Sequence, residues 1–438
     1  MSRPGRVEGP RYRNFGEALH APDTQALLLA LERDGFEARL VGGCVRDGLL
    51  GHVIKDVDIA TTAAPDVVMT IARGEGFRAH PTGIDHGTVT VVSGAIHHPL
   101  EVTTLRRDVE THGRRAVVAF TTDWVEDAMR RDFTINALYC DRNGVFFDPL
   151  GTGRKDLDNR QVRFIGDARA RIQEDYLRIL RFFRFFGRFA DGPPNAEALM
   201  AIEAETDGLK LLSAERVRDE LLKILTAGMR LEEALSSMQQ TGVLDLLFGP
   251  ADWKKRVQHI LRYRQIVSHD LPEYDLNGGE VSLGFLAGVT QETILDFSDK
   301  MRLSNHARRF LSNVFLLVES GIFRPDTDET AFRKATHRLG LMGQGELLTA
   351  GRWAWALSDD LIDCQWRLDQ IRSLETMHFP EMPLGGKDVI ALGVAPGPDV
   401  GEILREFRQW WIEQNCPSDE VLLRQKLSEF ARPFTPNR

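Results

Sequence analysis

The amino-acid sequence predicts a mixed α/β domain followed by a long α-helical extension. The first third alternates helical spacing with short β-rich runs, and this pattern ends at Asp148-Pro149. Beyond that dipeptide, apolar residues recur almost entirely at helical spacing. The strands of any sheet are therefore expected before residue 150.

Each predicted element of the first third has its own signal. Leu27, Leu28 and Leu31 recur on one helical face, and that segment ends at a glycine. Apolar or alternating runs bounded by turn residues predict strands. The predicted helices are Thr24–Gly35 and Trp124–Tyr139, and the predicted strands are Ala38–Val41, Asp56–Ala60, Thr88–Ser93, Leu100–Leu105 and Val145–Phe147.

The extension begins with a connection rich in glycine and charge, Gly151–Asp158. Many glycines over Pro383–Gly401 predict a loop or short elements there. The predicted helices between them begin with Ala168–Phe189, Ala196–Thr206, Ala214–Leu225 and Arg230–Gln240.

Composition excludes several classes of protein. The chain has 438 residues, of which 42% are hydrophobic and 27% charged, so collagen-like, coiled-coil and largely disordered chains are excluded. No apolar run reaches the roughly 18 residues of a membrane span, and Met1–Phe15 lacks the apolar core of a signal peptide. Four cysteines form no CxxC pair, which excludes a zinc ribbon and favours a reducing, cytoplasmic location.

Charge is distributed unevenly along the chain. The whole chain carries −9, which alone argues against a nucleic-acid partner. Between Val102 and Ala190, however, 17 Lys and Arg face 13 Asp and Glu. Basic charge is thus concentrated in one segment, and the remainder is strongly acidic.

Asp56 and Asp58 are candidate metal ligands. They are two residues apart on a predicted strand, so both carboxylates should lie on one face, about 6–7 Å apart. Carboxylates held in this way can bind two Mg²⁺ ions for phosphoryl transfer, and Glu101 on another predicted strand is the candidate third carboxylate. A DxD sequence also occurs by chance, and alone it is weak evidence.

Gly42, Gly43 and Arg46 precede this acidic pair. Two glycines let the backbone approach a phosphate closely, and Arg46 could add positive charge to the same group. The alternatives are a tight strand-to-helix turn at the glycines and a surface ion pair between Arg46 and Asp47.

Several ordered motifs show a resemblance to a known family. LVGGCVRDGLLG–KDVDIAT, EVTTLR, RRDFTINAL and EDYLRILRFFRF resemble the class II tRNA nucleotidyltransferase and bacterial poly(A) polymerase family, and most closely its CCA-adding members. The resemblance covers Leu40 to about Leu225. It implies an α/β nucleotidyltransferase palm head followed by an all-α neck, body and tail. The expected boundaries are a flexible tail at 1–22, the head at 23–150, the neck at 151–240, and the body and tail at 241–438.

The resemblance also implies an activity. The chain is expected to add C, C and A to the 3′ end of tRNA from CTP and ATP, with two Mg²⁺ ions and no nucleic-acid template, releasing pyrophosphate. Its expected partners are tRNA and these nucleotides, with neither a membrane nor DNA.

The resemblance assigns further residues to the nucleotide. Asp175 and Arg178, three apart on one predicted helix, would read the incoming base, and Glu174 would orient Arg178. Arg131, Asp132 and Asn136 would hold sugar and phosphates, and Arg216 is a weak phosphate candidate. The role of Arg181 and Arg184 stays open between a solvated stripe and a phosphate track. A flexible loop is expected over Arg106–Phe120.

Three other activities stay open at this point. A poly(A) polymerase would share the head but use only ATP, although the chain lacks the long basic C-terminal extension that is expected of it. A CC-adding or A-adding partial enzyme would share nearly all local motifs. A non-catalytic tRNA-binding protein is a rival from another class, but it would have no use for Asp56 and Asp58.

Overall fold

The computed structural model describes residues 13–54, 56–92, 99–112, 115–226, 230–270, 278–321, 344–357 and 382–434. The chain separates into two compact units, Met1–Trp253 and Lys254–Arg438. The predicted head and neck thus belong to one unit, and the boundary between them stays a prediction.

A mixed seven-stranded sheet forms the centre of the first unit. Its strand order is β3-β4-β5-β2-β1-β8-β9, and of its strand pairs only β2 and β5 are parallel. The five strands predicted from the sequence are present, with ends shifted by at most one residue. The strands are β1 (Ala38–Val41), β2 (Val57–Thr61), β3 (Arg78–Gly83), β4 (Thr88–Val92), β5 (Leu100–Thr104), β8 (Tyr139–Cys140) and β9 (Phe146–Phe147).

Two helices cover one face of this sheet. Helix α2 (Pro22–Arg33) packs beside α4 (Pro65–Gly74), and α4 contacts β3, β4 and β5. Alternate strand residues Val89, Val91 and Val102 are fully buried on the covered face. Because side chains alternate along a strand, Thr90 and Glu101 lie on the opposite, open face.

The N-terminal segment differs from the prediction of a flexible tail over 1–22. Helix α1 spans Arg13–His20, and Leu19 on it is buried. The Gln25 side-chain amide donates hydrogen bonds to the carbonyls of Leu19 and Arg142, which ties α1 to the sheet. Residues 1–12 lie outside the described residues.

The segment Arg106–Phe120 is also different from the expected loop. It forms strands β6 (Arg106–His112) and β7 (Arg115–Phe120), which pair in an antiparallel hairpin. Residues 113 and 114 lie outside the described residues. The β-branched pair Val117-Val118 favours this structure, and the charged residues around it obscured the signal.

The single helix predicted over Trp124–Tyr139 is wrong. Helix α5 spans only Trp124–Met129, a 3₁₀ turn spans Thr134–Asn136, and β8 follows. Polar side chains compete with the helix here, because Asp132 accepts from the Phe133 N–H and Thr134 donates to Asp156. The predicted connection at 151–158 likewise contains a helix, α6 (Gly153–Asp158).

Helices make up the rest of the first unit. The predicted Ala168–Phe189 helix is two helices, broken where Asp175 adopts an extended conformation (φ −155°, ψ 106°). The three helices predicted after residue 190 are confirmed to within one residue, and the helix predicted over Thr24–Gly35 is α2, with both ends shifted by two residues. The helices are α7 (Ala168–Glu174), α8 (Leu177–Phe189), α9 (Ala196–Glu205), α10 (Ala214–Thr226), α11 (Leu231–Gln240) and α12 (Val243–Phe248), and a 3₁₀ helix spans Thr206–Leu211.

The second unit is helical throughout its described residues. The region near 383–401, predicted to be a loop or short elements, contains one short helix and the start of another. A separate core forms around Ile403, Phe407, Trp411, Leu423 and Leu427. The helices are α13 (Trp253–Asp270, which starts at the unit boundary), α14 (Gly278–Ala287), α15 (Ile294–Lys300) and α16 (Asn305–Glu319), followed by Gln344–Leu357, Gly386–Ala391, Pro398–Glu413 and Glu420–Ala431, and a final 3₁₀ turn spans Arg432–Phe434.

Candidate active site

Carboxylates meet on the open face near the middle of the sheet, where β2 and β5 lie side by side. Strands β2 and β5 run parallel with Asp58 directly opposite Glu101, so the two side chains share a face. Asp56 lies just before β2 and is exposed, Asp58 is half-buried, and Glu101 is exposed. The predicted pairing of the acidic strand with Glu101 therefore has the geometry that a shared site requires.

The surroundings of Asp58 disfavour ionisation of its carboxylate. Burial, together with the nearby charges of Glu101 and Asp56, raises its pKa to about 6, and Arg131 opposes that rise. A divalent cation would relieve the repulsion among these carboxylates. The described residues contain no ready-made cage of three or more His, Cys, Asp or Glu ligands. Mg²⁺ needs no such cage, because it is usually held by one or two carboxylates and by substrate phosphates.

The Gly42-Gly43 pair forms the turn between β1 and helix α3 (Gly43–Leu49). Gly42 has φ 73° and ψ −123°, a conformation that side-chain-bearing residues rarely adopt. A Cβ at Gly42 would lie 3.5 Å from Nη1 of Arg131. The turn places Arg46 one helical turn later, buried against the rings of Phe185 and Phe189.

An open cavity of about 540 Å³ lies beside Asp58. It gathers most of the predicted nucleotide-binding residues, and among its lining side chains six are arginines. Gly42, Asp56, Glu101 and Glu174 are not part of its wall. The lining residues are Gly43, Arg46, Asp58, Arg131, Asp132, Asn136, Asp175, Leu177, Arg178, Arg181, Arg184, Phe185 and Arg216.

Asp132 connects the sheet domain to α8. Its carboxylate accepts hydrogen bonds from Arg181 Nε at 2.7 Å and from the Asn136 amide at 3.0 Å. Asn136 in turn accepts a hydrogen bond from Arg46. Although burial opposes ionisation, Arg181 and these hydrogen bonds hold the pKa of Asp132 at about 2. Asp132 and Asn136 therefore orient two cavity arginines.

Arg131 is held by an independent set of contacts. Its guanidinium donates to Asp127, at 3.0 Å from Nη2 to Oδ2, and to the Tyr139 hydroxyl at 3.3 Å. Although its burial opposes protonation, the charge of Asp127 raises the pKa of Arg131. Arg131 is thus a fixed positive charge next to Asp58.

Asp175 and Arg178 do not share one helix, contrary to the prediction. Asp175 lies in the link between α7 and α8, and Arg178 lies in the first turn of α8, yet both line the cavity. Nη1 of Arg178 lies 2.5 Å from Oε2 of Glu174 and donates to the Arg171 carbonyl at 2.9 Å. The expected contact between Glu174 and Arg178 is therefore present.

Arg216 has a role that the sequence did not reveal. Its Nη2 donates to Oδ2 of Asp175 at 2.7 Å, so the residue predicted as a phosphate candidate is an ion-pair partner of Asp175. Leu177, Phe185, Arg181 and Arg184 also line the cavity, although the sequence did not assign them to it. The three-residue spacing of the arginines was visible, but their contacts with Asp132 and Glu220 were not.

Acidic residues beside an arginine-rich cavity, on the open face of a mixed sheet, form the site of a nucleotidyltransferase head. Two family models match the chain: "Poly A polymerase head domain" at residues 38–163, and "Probable RNA and SrmB- binding site of polymerase A" at residues 195–252. No described helix is both long and apolar enough to cross a membrane.

Named relatives and a solved structure match nearly the whole chain. The mitochondrial CCA tRNA nucleotidyltransferase 1 of Danio rerio is 33% identical over 93% of this chain and 91% of its own. The CCA-adding enzyme of Levilactobacillus brevis is 30% identical over 92% and 98%. The crystal structure of the Bacillus stearothermophilus CCA-adding enzyme in complex with CTP matches with a TM-score of 0.74 at 28% identity, covering 96% of this chain and 98% of that one. The chain belongs to the family of CCA tRNA nucleotidyltransferases.

Proposed function

We propose that this chain adds C, C and A to the 3′ end of tRNA from CTP and ATP, releasing pyrophosphate. The observation that carries the proposal is the single cavity that contains Asp58, the arginines and the Asp175–Arg178 pair. Relatives that are named for this reaction and match more than 90% of both chains support it. The free thiols of Cys44 and Cys140 are consistent with a cytoplasmic location.

Base selection rests on Asp175 and Arg178. The pairing edges of cytosine and adenine each present an amino donor beside a ring-nitrogen acceptor. An ionised Asp175 only accepts hydrogen bonds and Arg178 only donates them, so together they match these two bases. Uracil and guanine present a carbonyl and a ring N–H instead, which would leave like groups facing each other. Unpaired polar groups in a site are costly, and this makes the selection sharp.

Asp56, Asp58 and Glu101 would hold Mg²⁺. Burial and the repulsion of neighbouring carboxylates raise the pKa of Asp58, and such closely placed oxygen donors are suited to a hard divalent ion. When bound, two such ions would supply Lewis-acid charge at the transferring phosphoryl group and lower the pKa of the attacking tRNA hydroxyl.

The chain's arginines bind and orient the triphosphate. Arg46, Arg131 and Arg181 are held in place by Asn136, Asp127 and Asp132, so they would meet the phosphates already oriented. Fixed positive charge favours the departing pyrophosphate without rearrangement during the reaction. Asn136 would act mainly by holding Arg46, and Gly43 lets the backbone come close to the nucleotide.

A double substitution tests the carboxylate assignment. Asp56→Asn with Asp58→Asn should reduce nucleotide incorporation by at least about a thousandfold, because the ligands for the ions lose their charge. Binding of tRNA, measured by filter retention, should stay within a fewfold of the unsubstituted protein. The matched control is Asp66→Asn on α4, an exposed residue away from the cavity, which should keep full activity. Incorporation that survives the double substitution would contradict the assignment.

A further inference from the structure

A row of side chains crosses the open face of the sheet from the carboxylates to the edge strand. Strand register places Asp58 opposite Glu101, Glu101 opposite Thr90, and Thr90 opposite His80. Directly paired residues point to the same face, and neighbouring strands are about 4.8 Å apart. The row therefore extends about 14 Å from Asp58 to the edge strand β3.

The far part of this row is polar, accessible and basic. His80 is exposed, and Thr90 is half-buried with its hydroxyl 2.6 Å from that of Thr82. Arg78 lies two residues before His80, so it is on the same face, and it is also exposed. Within the part of the chain that the structure describes, the side chains of Arg78 and His80 make no hydrogen bond or ion pair. We name Arg78, His80, Thr90 and Glu101 the edge row.

The edge row and the cavity lie on opposite sides of Asp58. The cavity reaches Asp58 from α3 and α8, through Gly43, Arg46 and Arg178, whereas the edge row reaches it from β5, β4 and β3. In phosphoryl transfer the attacking and leaving oxygens are roughly in line through the phosphorus. If the cavity arginines hold the triphosphate and its leaving group, the attacking hydroxyl has to arrive over the edge row.

We propose that the edge row binds the 3′-terminal nucleotides of the tRNA acceptor strand. Arg78 and His80 bind backbone phosphate, and Thr90 offers its hydroxyl to a terminal ribose. The occupant is single-stranded RNA because the row is a flat, polar surface that is continuous with the catalytic carboxylates and ends in two exposed basic side chains. This inference rests on the proposed function, since it assigns the second substrate of the same site.

Substitution of Arg78 tests the phosphate contact. Arg78→Gln should raise the KM for tRNA about tenfold, the effect of losing one charge-assisted hydrogen bond. It should also reduce the slope of log KM against log salt concentration by about 0.7, the value for one phosphate contact on a single strand. The KM for CTP and the kcat should stay unchanged. The matched control is Arg33→Gln. Arg33 lies on α2, on the side of the sheet opposite the edge row, and its substitution should change none of these values. An unchanged KM for tRNA in Arg78→Gln would overturn the proposal.

A crosslinking measurement gives an independent outcome. A tRNA transcript that ends just before its CCA, with 4-thiouridine as its last nucleotide, is irradiated with the full chain and CTP. The proposal predicts crosslinks in peptides of β3 and β4, and crosslinks in α8 without any in these strands would overturn it. Failure of the proposed function is distinguishable, because the unsubstituted protein would then extend no transcript at all.

Discussion

At the scale of single residues, the proposed base selection depends on two opposite charges, each of which is held by a partner. Glu174 fixes Arg178, which also donates to the carbonyls of Arg171 and Arg130, and Arg216 fixes Asp175. A side chain that cannot rotate cannot adapt to a base with the wrong pattern of donors and acceptors. Discrimination is therefore expected to depend on the holding residues as well as on Asp175 and Arg178.

Asp175→Asn tests the base-reading role. The carboxylate of Asp175 only accepts hydrogen bonds, whereas the amide of Asn can also donate one. A uracil carbonyl that faces residue 175 would then find a donor, so binding of UTP becomes less unfavourable. We expect kcat/KM for CTP to fall about tenfold to a hundredfold, and the preference for CTP over UTP to narrow by a similar factor. Single-turnover incorporation with each nucleotide measures both quantities. Glu203→Gln, an exposed residue of α9, serves as the control, and an unchanged preference in Asp175→Asn would refute the assignment.

The sequence predicted some of these contacts and could not predict others. The resemblance predicted the contact between Glu174 and Arg178, and their ion pair is present although the helix breaks between them at Asp175. Arg216 and Asp175 are 41 residues apart and meet only because α10 packs against α8. No local pattern carries that information, and Arg216 was therefore assigned to phosphate instead of to Asp175.

At the scale of elements, the segment after β7 is organised by one buried carboxylate rather than by a continuous helix. Asp127, on the short α5, accepts hydrogen bonds from Arg130, Arg131 and the Tyr139 hydroxyl. The Tyr139 contact connects α5 to β8, while the hydrogen bonds of Asp132 and Thr134 compete with the helix that local propensity predicted. Tertiary hydrogen bonding determined the structure of this segment. The single helix predicted over Trp124–Tyr139 is the largest error among the predicted elements.

The pKa of Asp127 gives a testable dependence of stability on pH. Although burial opposes ionisation, Arg131 and Arg130 lower the pKa of Asp127 to about 2, below its ordinary value of 3.8. The carboxylate therefore contributes about 2 kcal/mol of stability above pH 4, and this is lost as the pH falls from 4 towards 2. Asp127→Asn should lower the Tm at pH 7 and flatten the fall in Tm between pH 4 and pH 2, measured by calorimetry.

A matched variant separates this effect from general acid sensitivity. Asp34→Asn removes an exposed carboxylate at the end of α2 and should follow the unsubstituted protein at every pH. If Asp127→Asn also retains the full fall in Tm between pH 4 and pH 2, Asp127 does not supply the proposed stabilisation.

At the scale of the whole molecule, an acidic chain contains a strongly basic site. The net charge is −9, yet six arginines and three aspartates line one cavity. The sequence revealed the excess of basic residues between 102 and 190. Only the fold shows that several of these arginines line the same cavity as Asp58. The α/β head and the helical extension followed from periodicity, whereas the ordered motifs supplied the resemblance that named the family.

Nucleotide addition to a tRNA transcript that ends just before its CCA tests the central claim most directly. The full chain is supplied with Mg²⁺ and with CTP alone, ATP alone, or both, and product lengths are resolved to one nucleotide. We predict two additions with CTP alone and a third only when ATP is also present. A ladder of adenosines would indicate a poly(A) polymerase, and a stop after two cytidines with both nucleotides would indicate a CC-adding enzyme. Extension only of a transcript already ending in CC would indicate an A-adding enzyme. No extension of any transcript would contradict the account and favour a tRNA-binding protein without catalytic activity.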